Sequence, residues 1–506
     1  MNKKLASTML MASLAVGSAA LATNVYAEET VNLTMQIASF GLEWPGLENV
    51  EAAINAITEP EIGVTVTLDP EIVWDLPSIS SLAITSGEEI DLMAIIQLTA
   101  GLDSVSNYTM KNMLLPLDDL YAEYGQDIPE VIGNLEQLGY VGGSLYAIPA
   151  NYYAGHGYAF LARTSELEAL GRTYDENQIY TLDDIEDLLA AWQESKGAGY
   201  YAICGYSDVD IPSMLCPTDD LGNPAVGSLM NGGLDNTTVV NKFATEEYKQ
   251  AYERVRDWYN KGYINPDIIS ITDTWPSLFK TGQYLGAFSA TNGAGLEGIL
   301  VNEQNAGEDV TTIRFVDDYA TTTAASYGLW AIPVTCEYPE KAMQLLNLLY
   351  QKRELSENVA ALLSSGIEGE TYQVLETLDD GRVIVDYLEG MDRNSAPYAG
   401  ALPIYGDEMR TPKYTPIDAA LYDEMIAYND TLDYSQAFGY TFDSTNYSNQ
   451  ISAINNVLET YNSQLVFGIV DVDTVLPQFL SELEAAGINE VIAANQEQLD
   501  AWKALQ

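Results

Sequence analysis

Two short strings of this chain nearly repeat each other: Tyr146-Ala147-Ile148-Pro149 and Trp330-Ala331-Ile332-Pro333. Each reads as an apolar strand fragment closed by proline. Proline has no backbone N–H and a fixed φ, so a strand stops there or lies at a sheet edge. New organisation follows each string, with the aromatic pair Tyr152-Tyr153 after the first and a helix opened by Pro339 after the second. A chain that crosses twice between two lobes carries marks of this kind.

The elements around these strings alternate. Val31 to Ile37 has the period-two pattern of a half-buried strand, residues 47–58 read as a helix, and Val64 to Leu68 is a second strand. A short helix from Ile79 to Ile84 precedes the near-continuous apolar run Ile90 to Ile96. Alternating strands and helices with an apolar strand indicate an α/β fold around a parallel sheet covered on both faces. After Pro149 the pattern restarts. Thr181 with Asp184 resembles a capping box before an amphipathic helix carrying Ile185, Leu188, Leu189 and Trp192. A helix with Tyr248, Tyr252, Val255 and Trp258 on one face ends at Gly262, and a strand follows at Tyr284–Ala290. The C-terminal region reads as helical: Ile451, Ile454, Leu458, Tyr461 and Leu465 step by three and four, and Leu476, Phe479, Leu480 and Leu483 share that kind of spacing. Gly487 is placed to end one helix, and Asn489 to cap a last helix that carries Trp502 on its apolar stripe.

Residues 1–27 read as a signal peptide: Lys3 and Lys4, an apolar run to about Leu21, then the small-x-small site Val25-Tyr26-Ala27. The apolar run is shorter than the roughly 20 residues of a spanning helix, so the protein is expected to be exported and not membrane-inserted. No cysteine lies near the site, the first being Cys204, so a lipid anchor on the new N-terminus is not expected. Cleavage leaves about 480 residues, enough for two to three domains. With 74 acidic residues against 21 basic ones, the net charge is −53. Such a field repels nucleic acid and anionic lipid and disfavours phosphorylated or carboxylate ligands. Cys204, Cys216 and Cys336 match no zinc spacing; Cys204 and Cys216 could pair or stay free. His156 is the only histidine, which removes any site needing two.

Several strings together resemble family 1 extracellular solute-binding proteins of ABC importers. They are Ser86-Gly87-Glu88-Glu89-Ile90-Asp91-Leu92, Leu115 to Leu120, Gly143 to Pro149, Asn260 to Pro266, and Trp330 to Met343, in family order. The tail from about Gly439 to Trp502 is similar to the C-terminal domain of a lipoprotein-like branch, although this chain lacks that branch's anchoring cysteine. The resemblance implies a two-lobed periplasmic-binding-protein-like fold with hinge crossings and a helical C-terminal region. Lobe one would be 28–150 plus 331–385. Lobe two would be 151–330 plus 386–506, including the family-specific region from about 400. The crossings would follow Pro149 and lie near Trp330. A monomer in the extracellular space or cell envelope (periplasmic if the cell has two membranes) would deliver its solute to the permease subunits of an importer.

In such an architecture ligand contacts come from loops at the C-terminal ends of strands, on both lobes. That selects Glu43 and Trp44, Gln97 and Thr99, Tyr152, Tyr153 and His156, Thr291 and Asn292, and Trp330. Aromatic rings cover the apolar faces of sugars, and Glu, Gln, Asn and His satisfy their hydroxyls. An oligosaccharide is therefore the expected ligand, with a peptide as the alternative in the same fold. Trp258 and Trp502 read as core. No nucleophile elbow or phosphate loop occurs, and the strings at Asp208 and Asp471 lack the glycine and closing glutamate of a calcium loop. No catalytic residue, metal or cofactor is expected. A secreted carbohydrate-active enzyme with paired carboxylates, or a signalling protein that kept the fold, are the readings from other classes.

Overall fold

The computed structural model describes residues 30–41, 43–96, 104–205, 210–271, 273, 275–291, 309–400 and 402–505. Two five-stranded sheets each form the centre of a lobe. In the first, the order from the outer edge is Val64–Ile72, Val31–Ser39, Leu92–Ile95, Leu329–Ala331 and Ala147–Pro149. The first three strands run parallel, and Leu329–Ala331 inserts antiparallel between Leu92–Ile95 and Ala147–Pro149. The two near-repeated strings are thus neighbours: Trp330 pairs with Ile148 and Ala331 with Ala147. The chain leaves this lobe after Pro149 and re-enters it at Leu329.

The helix Leu47–Ile62 buries Val50, Ile54 and Ile57 against the first sheet, because the spacing of four and three aligns them on one stripe. Gly63 ends it at φ +67, the left-handed conformation that glycine adopts without a Cβ penalty. In the second lobe the order is Asp433–Tyr434, Val310–Ala320, Gly155–Arg163, Tyr284–Thr291 and Tyr201–Ile203. The capping box is present before Leu182–Lys196: the Asp184 N–H donates to Thr181 Oγ1 at 3.2 Å, and the Thr181 N–H to Asp184 Oδ2 at 2.9 Å.

Among the described residues three segments cross between the lobes, not two. Residues 150–154 form the first crossing. The second, Thr321 to Gly328, ends just before Trp330. The third runs from Asn429 into the strand Asp433–Tyr434, which pairs with Tyr319 and Ala320 of lobe two. Consequently most of residues 386–432 corrects the expected boundary: Tyr398, Leu402, Ile404, Tyr405, Met409, Met425 and Tyr428 belong to the core of lobe one. Gly328 shows how close the packing is, since a Cβ there would lie 2.2 Å from Ile404 Cγ2.

Beyond Gly439 the chain packs mainly on lobe two. The helices Ser448–Val466, Val472–Ala486 and Ile488–Lys503 share a core with Phe243, Tyr248 and Tyr252. The joint between the bodies is abrupt. Phe438 is buried in the lobe-one core, while Tyr440 is buried in the C-terminal core with its hydroxyl donating to Asn495 Oδ1 at 2.7 Å. Gly487, at φ +97, ends one helix and begins the next, so Asn489 lies inside the last helix instead of capping it. None of the three cysteines forms a disulfide, and all three are buried. Among the described residues no helix is long and apolar enough to cross a membrane.

Candidate functional site

The C-terminal ends of the first-lobe strands and the facing ends in lobe two meet at the crossings, and this line of strand ends defines the candidate cleft. Tyrosines occupy its floor. Tyr152, half-buried in the first crossing, lies with its ring 4.7 Å from Tyr153 and 5.9 Å from Tyr327 in the second crossing. Tyr153 is buried and meets Tyr428 edge-on at 5.1 Å. The floor is therefore one row of rings, Tyr327-Tyr152-Tyr153-Tyr428, drawn from three separated stretches of chain. Burial raises the phenols of Tyr153 and Tyr327 above the ordinary range and keeps both protonated. The half-buried Tyr152 and Tyr327 are the rings left partly open, and the buried Tyr153 and Tyr428 back them.

On lobe two, His156 opens the strand Gly155–Arg163. Its Nε2 is 3.0 Å from the Tyr158 hydroxyl, and its ring is 4.9 Å from that of Tyr319. Burial lowers its pKa to about 4, so it is neutral near pH 7 and serves as a hydrogen-bonding ring. The flanking glycines are steric necessities. A Cβ on Gly155 would lie 2.6 Å from the Tyr319 carbonyl, and one on Gly157 would lie 2.2 Å from Asp318 Oδ1. Thr291 pairs with Gly157 at the end of its strand and is fully buried, with a hydroxyl that has no hydrogen-bond partner.

On lobe one, Glu43 is exposed. Trp44 is only half-open: its ring packs 5.0 Å from Tyr398, and its Nε1 is buried without a partner. Trp330 corrects the sequence expectation. It is fully buried between two strands, donates from Nε1 to the Ile404 carbonyl at 2.6 Å, and presents no face to a ligand. Gln97, Thr99 and Asn292 lie outside the described residues, as does the signal segment. Trp502 is half-buried against Tyr440 instead of being enclosed.

Three residues at the strand ends escaped the sequence reading. Phe40 and Trp74 follow the first two strands, and Tyr327 precedes Leu329. Trp74 and Phe40 are 64% and 46% exposed, unusual values for rings of that size. The sequence reading took candidates after several strands but none after Val64–Leu68, where Trp74 follows.

A large cavity, about 1480 Å³, lies on lobe one beside the first and third crossings. Some of its polar wall groups pair with one another: Arg353 with Glu61 at 2.7 Å, Arg410 with Asp380 at 2.9 Å, and Asn151 with Asp407 at 2.7 Å. Among the described residues no group of three or more His, Cys, Asp or Glu is arranged to hold a metal.

Comparison with known proteins agrees with this architecture. Residues 52–364 match the family described as bacterial extracellular solute-binding protein, and residues 436–504 match a domain of unknown function, DUF3502. A carbohydrate ABC transporter substrate-binding protein of Streptococcus pneumoniae serotype 4 is 24% identical over 473 residues, covering 90% of this chain and 88% of its own. Among solved structures, the N-glycan transport solute binding protein NgtS of S. pneumoniae superposes with a TM-score of 0.76 at 19% identity, covering 93% of this chain and 98% of that one. The S. pneumoniae substrate binding protein FusA, in complex with kestose, gives 0.61 at 14% identity, covering 94% and 100%.

Proposed function

The chain belongs to the bacterial extracellular solute-binding proteins, and from that premise we propose that it is an exported receptor. It captures an oligosaccharide between its two lobes and delivers it to the permease subunits of an ABC importer. The observation that carries the ligand class is the half-open pair Tyr152 and Tyr327 at the crossings, backed by the buried Tyr153 and Tyr428, with His156 near the start of the lobe-two strand Gly155–Arg163. Ring faces pair with the C–H faces of sugars, and phenol and imidazole groups with their hydroxyls. The name of the pneumococcal relative, a carbohydrate transporter component, supports the same class. So do the neighbour structures of NgtS with Man1GlcNAc and Man5GlcNAc.

A thermal-shift screen of the exported protein against glycans and peptides tests the reading, followed by calorimetric titration of the hits. Glycans should raise the melting temperature and be recovered with unchanged mass. Stabilisation by peptides alone would reassign the ligand. Cleavage of a glycan would make the protein an enzyme.

A further inference from the structure

Beyond the tyrosine floor, lobe one carries a second apolar surface. Phe40, Ile72 and Trp74 are 46%, 42% and 64% exposed, and all three lie at the C-terminal ends of the two outermost strands. Phe40 and Ile72 stand on adjacent strand ends, and Trp74 follows two residues after Ile72 in the turn that the Asp75 N–H closes on the Ile72 carbonyl at 2.9 Å. Ile72 pairs with Ser39, the Val73 N–H donates to the Ser39 carbonyl at 2.9 Å, and Gly41, at φ +78, turns the chain so that its Cβ position lies 3.8 Å from Ile72 Cδ1. In a chain with 74 acidic residues, three large apolar side chains left open together mark a contact surface.

The strand order decides what that surface contacts. Val64–Ile72 is the edge strand farthest from the crossings, and three strand steps separate it from Leu329–Ala331, next to Tyr327. At 4.7–4.9 Å a step, the patch stands about 14 Å along the cleft from the tyrosine row. The two surfaces share one line of strand ends, so a ligand seated on the row extends naturally onto the patch. A mono- or disaccharide is too short to reach both. The acidic surface disfavours anionic ligands, whereas a neutral sugar presents the flat C–H face that an indole covers.

We infer that Phe40, Ile72 and Trp74 form a distal subsite that stacks a remote ring of a long oligosaccharide, making the receptor selective for chain length. This inference rests on the carbohydrate reading above and adds the position and role of these residues.

The test is calorimetric titration of the full exported chain and of Trp74→Ala and Trp74→Phe. The probes are manno-, malto-, cello- and chito-oligosaccharides from disaccharide to hexasaccharide. Parent affinity should climb with length, and Trp74→Ala should bind the longer members about tenfold more weakly while holding the shortest bound member within about twofold. Trp74→Phe should restore most of the climb. Equal loss at every length would place Trp74 in the central site and overturn the distal subsite. No loss at any length would also overturn it, and failed transport by that variant would then assign the patch to the importer. If the parent binds none of the four series, the carbohydrate reading itself fails and the subsite falls with it.

Discussion

Asn429 holds Tyr152 by its backbone: its Nδ2 donates to the Tyr152 carbonyl at 2.8 Å across 277 residues of sequence. The same side chain accepts the Ala154 N–H at Oδ1, at 2.9 Å. One half-buried amide therefore ties the first crossing to the start of the third. Asn429→Ala leaves both backbone groups without this partner, which should cost on the order of 1–3 kcal/mol. Urea unfolding should show the loss, with Asn429→Asp, which keeps the acceptor and loses the donor, falling in between. Parent-like unfolding of both variants would show that the crossings do not depend on this tie.

Ligand-linked closure follows from three crossings with a cleft above them. A ligand that touches both lobes favours the closed arrangement by its differential affinity. Small-angle scattering should give a smaller radius of gyration with saturating glycan than without. An unchanged radius would mean that the lobes do not move.

Trp330 should behave as a core residue. Trp330→Phe removes the bond to the Ile404 carbonyl and leaves a gap between strands, at a cost of about 2–4 kcal/mol. Glycan affinity of the folded variant should stay within about twofold of the parent. A large affinity loss with intact stability would return Trp330 to the binding surface.

Two buried groups should oppose each other in their pH dependence. Burial raises the Asp219 carboxyl from 3.8 to about 6, so the folded state keeps a proton that the unfolded chain has released. Its contribution to stability therefore falls as pH rises from about 4 to about 6. Burial lowers His156 from 6.5 to about 4, so the unfolded chain binds a proton that the folded state refuses, and stability falls as the medium is acidified below about 6.5. Each effect is on the order of 2–3 kcal/mol at most. Relative to the parent, Asp219→Asn should gain stability toward neutral pH and His156→Gln toward acid pH. Denaturant midpoints between pH 4.5 and 7 check this, and difference curves of the same sign would refute it.

What was legible in the sequence was local. Thr181 caps its helix through Asp184 three residues on, and the stripe Val50, Ile54, Ile57 needs only helical spacing to define a buried face. The family strings and the two proline-ended strands announced the two lobes in the same way. Register between distant strands was not legible, because pairing is decided by which surfaces close together. Leu329–Ala331 inserts beside Ala147–Pro149, which turned Trp330 inward, and Asn429 makes its crossing with no periodic signal around it. The contrast between Trp44 and Trp74 shows the reason most directly. Both follow strands of the same sheet in short loops, and nothing nearby in sequence separates them. Tyr398, far along the chain, packs on Trp44, whereas Trp74 stays open at the edge of the sheet. Local sequence decided that a ring would stand at each strand end; only the folding of a remote segment decided which ring is left for a ligand.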